Sequence, residues 1–326
     1  MADNIDKESS PAFDLADFAE APAAPVLDRK PVLSPAREKL INEALAIQEK
    51  DALAAGEVGY ISRSMVQASL PHSRVEGSHF ERRNGDFVLT LAATKPNIGL
   101  PYGSIPRLLL SWVATEAREK RQRELELGAS MSGFMRELGL IPTGGRWGSI
   151  PRLKDQTRRL FSTAITTTRK KIVEVGVAVS CDESFLLAEK SEFWWSPHKA
   201  EDSGRWQPTV TLSKPFYDEI IQHPVPVDLR ALRALKRSPF CLDIYAWATH
   251  RKSYLKRPTE IPWEVLAQQF GGDYARLRDF KASFMAALIK VSVVYDQLDF
   301  EATERSLLLK PAAPHVARKG RLRKST

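Results

Sequence analysis

The stretch from Pro262 to Leu309 constrains the fold most. Pro262 opens a short helix over Trp263–Phe270, which Gly271 stops. Gly271-Gly272-Asp273 makes a tight turn, and Asp273 is placed to cap a longer helix over 274–290. The apolar residues of that helix, Tyr274, Leu277, Phe280, Phe284 and Leu288, fit one stripe, and another face carries Arg276, Arg278 and Lys281. Residues 293–295 read as a strand and 307–309 as its partner, so strands on either side of 296–303 would supply a wing. A short helix, a tight turn and a basic second helix form a helix-turn-helix, whose second helix suits the major groove. An ordinary helical hairpin with a solvated basic face has the same pattern.

A looser version lies upstream, with helices over 103–122, 130–138 and 150–170 and a hairpin over 172–189 turned by Cys181-Asp182-Glu183-Ser184. Its loop, 139–148, is much longer than the usual three or four residues. Glycines there would let the backbone approach phosphate beside Arg146 and Trp147. The helix over 150–170 has an apolar stripe of Leu153, Leu160, Phe161, Ala164 and Thr168. It offers Arg152, Lys154, Gln156, Arg158 and Arg159 on the exposed side. Arginine and lysine neutralise phosphates and release counterions. Bidentate pairing of arginine with guanine and glutamine with adenine supplies base discrimination. Against a DNA-inserting wing here stands its acidic tip, Asp182-Glu183, which phosphate would repel. The words Gly-Ser-Ile-Pro-Arg-Leu at 103–108 and 148–153 are either a trace of duplication or the same helix-start solution used twice.

Around these units, residues 1–33 are rich in Ala, Pro and Asp and read as a disordered acidic tail. Ser34-Pro35 starts a helix running to about Ala55, before Gly56. Asn84-Gly85 marks a hairpin, both turn residues accepting positive φ. A linker with Pro197, Gly204 and Pro208 follows the upstream unit, and His223-Pro224-Val225-Pro226 separates the last part. The expected fold is α+β and helix-rich, with two winged-helix domains in tandem. Residues 34–57 form an N-terminal helix, 58–213 and 214–310 the two winged-helix-like domains, and 311–326 a basic disordered tail.

Charge is divided unevenly. Residues 1–57 hold 12 acids and 6 bases, while the remainder holds 28 acids and 42 bases. A basic body beside an acidic tail favours a polyanionic partner. No apolar run is long enough to span a membrane, and the acidic start is no secretory signal. Cys181 and Cys241 lie far apart with no CxxC pattern, which suggests a reducing, cytoplasmic compartment and no structural zinc. There is no P-loop and no dinucleotide-binding glycine motif. The six histidines form no His-x-His pair, so a metal-dependent nicking site is unsupported. Trp194, Trp195 and Trp206 could stack on bases, but core packing is the better reading. Nothing in the sequence requires catalysis, a cofactor or a metal.

Three runs carry a family likeness: 100–112 (LPYGSIPRLLLSW), 132–140 (SGFMRELGL) and 143–148 (TGGRWG). They resemble the plasmid-encoded RepA replication proteins of bacteria. So do 238–251 and the span from Trp263 to Phe280, and the resemblance covers about 58–310. It implies a replication initiator with two winged-helix units. Such proteins bind repeated double-stranded sites at the plasmid origin, promote local opening and recruit host machinery, including the host initiator and replicative helicase. It also implies homodimers that repress their own gene and monomers that fire the origin. A transcriptional repressor or copy-control protein using the same contacts is the alternative. The residues named within both helices rest on periodicity, not on the family's contacts.

Overall fold

A computed structural model describes residues 34–95, 97–174, 177–192, 208–271 and 274–316. Residues 1–33 and 317–326, the tryptophans 194, 195 and 206, and the Asp273 cap lie outside the described residues, whereas 311–316, expected as the start of a disordered tail, pack on the fold: Val316 is buried and the Ala313 carbonyl accepts from the Tyr295 hydroxyl. Ser34-Pro35 opens α1 (Pro35–Glu49), with proline in the first turn, where its missing N–H has no intrahelical partner to lose. The helix ends earlier than periodicity suggests, because Asp51 Oδ1 accepts the amide of Ala54 and offers the backbone a local turn instead. β1 (Val58–Ser62) and α2 (Arg63–Gln67) follow. The hairpin of β2 (His79–Asn84) and β3 (Phe87–Ala93) then forms as expected. Its turn is shifted by one residue: Asn84 pairs with Phe87 in the ladder, and only Gly85 takes positive φ, +57°.

The upstream unit comprises α3 (Ser104–Lys120), β4 (Glu124–Glu126), α4 (Met131–Glu137) and α5 (Ser149–Phe161). It continues through β5 (Thr163–Glu174), β6 (Val177–Leu186), β7 (Ala188–Glu192) and β8 (Thr209–Leu212). Here the helix expected over 150–170 is corrected: it stops at Phe161. The next residues, Thr163-Ala164-Ile165-Thr166-Thr167-Thr168, are mostly β-branched and pair with β3, Leu91 opposite Ile165. Ala164 and Thr168 are therefore strand residues. Asp182 and Glu183 sit within β6, opposite Thr168 and Thr167, and not at a hairpin tip. The expected acidic tip, and the objection to DNA built on it, both fall away.

α6 (Lys214–Gln222), β9 (Pro224–Asp228), α7 (Leu229–Leu235) and α8 (Pro239–Lys252) come next. The Pro-rich separator is thus a strand. β9 runs antiparallel to β1, with Pro226 opposite Tyr60 and Pro224 opposite Ser62. The chain then runs through β10 (Thr259–Pro262), α9 (Trp263–Phe270), α10 (Leu277–Val294), β11 (Phe300–Ala302) and β12 (Ser306–Leu309). Residues 293–295, expected as a strand, include the last helical turn of α10, while Tyr274 and Leu277 of the expected stripe are exposed. Phe280, Phe284 and Leu288 are fully buried as the stripe requires.

The described chain is mixed α and β: ten helices and four small sheets, ordered β1-β9, β2-β3-β5-β6, β4-β8-β7 and β10-β12-β11. One apolar core runs through both halves. Near the N-terminal end it gathers Leu109 and Val113 of α3, Phe134 of α4 and Leu153 and Leu160 of α5. Toward the other end Phe240, Trp247, Phe270, Phe280 and Phe284 pack ring against ring. α8, buried at Cys241, Leu242, Ile244–Ala248 and Thr249, lies between the two. There the carboxylate of Asp243 accepts both Nε and Nη2 of Arg107, each at 2.7 Å, and lies 2.7 Å from His72 Nε2.

Candidate nucleic-acid interface

In the upstream unit, the start of α5 is fixed by its loop. Thr143 N donates to Ser149 Oγ and Ser149 N to Thr143 Oγ1, while Ser149 Oγ donates to the carbonyl of Ile141. Gly148 is required by close approach: a Cβ there would run into the carbonyl oxygens of Thr143 and Gly144. The closed loop leaves Arg146 and Trp147 outside. Trp147 is 73% exposed, and the Arg146 guanidinium lies 5.0 Å from its ring centroid. In the sequence Trp147 is marked only by its place beside the loop glycines.

The residues proposed along α5 divide into two groups. Arg152 and Arg158 are exposed and Lys154 is half-buried. Gln156 is not on the exposed face. It is only 4% exposed, its side-chain oxygen accepts the amide of Tyr102 at 2.9 Å, and its NH₂ donates to Asp155. Period counting put it outside because it ignored the segment 99–102, which packs over that side of the helix. Arg159 is likewise engaged. It donates to Asp155 at 2.7 Å, reaches the carbonyl of Leu100 at 3.4 Å and lies over Tyr102 with 5.6 Å to the ring centroid. These two residues fasten the helix to the chain before α3.

In the downstream unit, Arg276 and Arg278 are 67% and 79% exposed in their side chains and share one acid, Asp279. Hydrogen bonding from Arg276 holds the Asp279 carboxyl below its ordinary range, so it stays charged and the pair of arginines keeps a net positive charge. Lys281 is not a free phosphate ligand. Its Nζ donates to the carbonyls of Thr303 (2.9 Å) and Glu304 (3.3 Å) and lies 5.2 Å from the ring centroid of Trp263. Trp263 Nε1 donates to the same Thr303 carbonyl. The turn between β11 and β12 is thereby held beside the start of α10. Exposed Arg305 belongs to that turn. Its signal in the sequence is one base just before the expected strand 307–309; the partner strand, expected over 293–295, forms instead at Phe300–Ala302, and that brings the turn to 303–305.

Among the described residues no group of three His, Cys, Asp or Glu could hold a metal ion, and no helix is long and apolar enough to cross a membrane. Around the starts of α5 and α10 the exposed side chains of Arg146, Trp147, Arg152, Arg276, Arg278 and Arg305 are basic or aromatic, which suits phosphates and bases.

Comparison with known proteins gives the following. A solved structure of domains 2 and 3 of RctB superposes with a TM-score of 0.50 at 10% identity, covering 77% of this chain and 97% of that one. A second structure of RctB domains 2-3 gives 0.47 at 12% identity, with 76% and 96% covered. At such identity the likeness with the first is one of fold alone. No curated protein matches the chain by sequence. The profile of the family described as plasmid encoded RepA protein matches residues 100–264, from the turn before α3 into α9. That is half the chain and includes the loop, α5 and α8, so the chain belongs to the plasmid-encoded RepA protein family.

Proposed function

We propose that the chain is a non-catalytic plasmid replication initiator, acting on DNA in the bacterial cytoplasm, that reads repeated origin sites with two winged-helix units. One would run from α3 through β6, the other from α8 through β12. The observation that carries this reading is the downstream order helix–strand–helix–helix–strand–strand. Its three strands are arranged β10-β12-β11, with Arg276, Arg278 and Arg305 exposed around the start of α10. In this reading α10 and α5 enter successive major grooves. The arginines of α10, the β11–β12 turn and α5 (Arg152, Arg158) meet phosphates or guanines, with Lys154 beside them. Arg146 and Trp147 reach the duplex from the loop. Gln156, Arg159 and Lys281 position these elements.

Bound to its repeats, the protein would promote local opening and bring in the host initiator and replicative helicase. As a dimer it would occupy its own promoter. The test is a gel shift with the repeats next to its gene, against a scrambled duplex, at two salt concentrations. It is paired with a plasmid-maintenance assay on an origin fragment. Preferential repeat binding together with maintenance is the expected result. Repeat binding without maintenance would leave a repressor, and equal salt-sensitive binding to both duplexes would leave phosphate attraction alone.

A further inference from the structure

One concave space at the junction of the two halves is lined by no residue of α5, α10 or the β11–β12 turn. It measures about 460 Å³, within the range of small-ligand sites. Tyr60 of β1, Arg63 of α2 and Arg118 of α3 line it from one side, and Pro224 and Pro226 of β9 and Thr249 of α8 from the other. No aspartate or glutamate lines it, so the two guanidinium groups face the space without a counter-charge in its wall. Arg118 is held in place: its carbon lies 4.7 Å from the Tyr60 ring centroid and Nη1 donates to the carbonyl of Ile221, which leaves its remaining N–H groups to serve a ligand.

We infer that this cleft binds a phosphate-bearing ligand of mononucleotide size, its phosphate held by Arg63 and Arg118 and its flat body against the proline wall. Planar guanidinium forks match phosphate oxygens in bidentate fashion, and the proline edges offer an apolar face to a base. A cleft of this size admits one nucleotide and excludes a duplex. The nucleotide could come free in solution or as the end of a single strand, and both present the same chemistry. Because the lining comes from both halves, occupancy would brace the junction and raise the melting temperature by mass action.

The experiment is calorimetric titration of the full chain with adenosine 5′-monophosphate, inorganic phosphate, adenosine, and a short 5′-phosphorylated single strand. One-site saturable binding of the monophosphate, at least tenfold tighter than phosphate or adenosine, is expected. Arg63→Gln should weaken it about tenfold while melting like the wild type without ligand. Arg118→Gln should do the same, but its contact with Tyr60 makes Arg63→Gln the cleaner variant. Tighter binding of the single strand, lost equally in Arg63→Gln, would assign the source to a strand end and uphold the site. Absence of saturable binding at millimolar ligand would overturn the inference. So would an unchanged affinity in Arg63→Gln, or competitive displacement by origin duplex, which would make these cations part of the duplex surface. The proposed repeat reading stands or falls separately, in the gel shift.

Discussion

Arg107 and Arg152 occupy the same place in the same six-residue word and have opposite fates. Both words open a helix at a glycine, as a helix-start solution should. Arg152 is exposed, whereas Arg107 is buried and donates to Asp243 and to the carbonyls of Leu70, Pro71 and Gly103. Nothing local distinguishes them; the difference is made by Asp243, far away in sequence. Arg107→Met would leave a buried carboxylate uncompensated, so a loss of roughly 3–5 kcal/mol in urea denaturation is expected. Adding Asp243→Leu should recover part of that loss, because the two residues act as one unit. The same cluster makes stability depend on pH. Burial, outweighing the pull of Asp243, holds the His72 imidazole below its ordinary value. Burial would raise the Asp243 carboxyl, but Arg107 and the hydrogen bonds from His72 and Arg107 bring it below the usual range. The unfolded chain therefore takes up the histidine proton first, and stability falls as pH drops through the unfolded value of 6.5. The depressed carboxylate adds a loss of the same sign at lower pH. Urea midpoints at pH 7.5 and 5.5 should differ in the wild type and differ less in His72→Gln. A residual slope is expected from His315, which burial also holds low.

At the scale of elements, helix starts were more legible than ends. Serine with proline and the glycine before serine gave the openings of α1, α3, α5 and α8 close to where they lie. The end of α5 was not legible, since stripe counting carries on through any sequence that happens to keep an apolar spacing. Only pairing with β3 turns 163–174 into strand. In the candidate interface, Arg152, Arg158, Arg276 and Arg278 could be read as exposed from period alone. The roles of Gln156, Arg159 and Lys281 could not, because their partners lie in other segments. This division is testable. Replacing Arg152 and Arg158 with Ala should weaken repeat binding and lower the slope of log affinity against log salt by about 0.9 per lost phosphate contact. Gln156→Ala should leave the base preference of the protein unaltered and instead lower its melting temperature, since the Tyr102 amide loses its acceptor. Trp147→Ala should shift stability by no more than about 0.5 kcal/mol, as an exposed residue, while weakening DNA binding in the gel shift.

For the whole molecule, the uneven division of charge was readable from the sequence. How the two ends of the chain pack together was not. β9 lies C-terminal to the boundary drawn at 213 and pairs with β1, α1 packs on α7 and α10, and Arg107 of one half closes on Asp243 of the other. Long-range pairing of this kind leaves no trace in local periodicity. It predicts that urea unfolding of the full chain is a single transition with coincident fluorescence and circular-dichroism curves. Residues 58–213 and 214–310 expressed apart should each melt well below the intact protein. Two separated transitions would show that the halves are independent and that their junction contributes little.

A proline is tolerated in a ladder only where its missing N–H would point away from the partner strand. Pro224 and Pro226 stand two residues apart in register with β1, so the outward edge of β9 lacks donors at both. An exposed strand edge joining two halves of a protein would otherwise be a template for pairing with another chain. Here the seam can close on itself but cannot recruit a neighbouring chain along that edge.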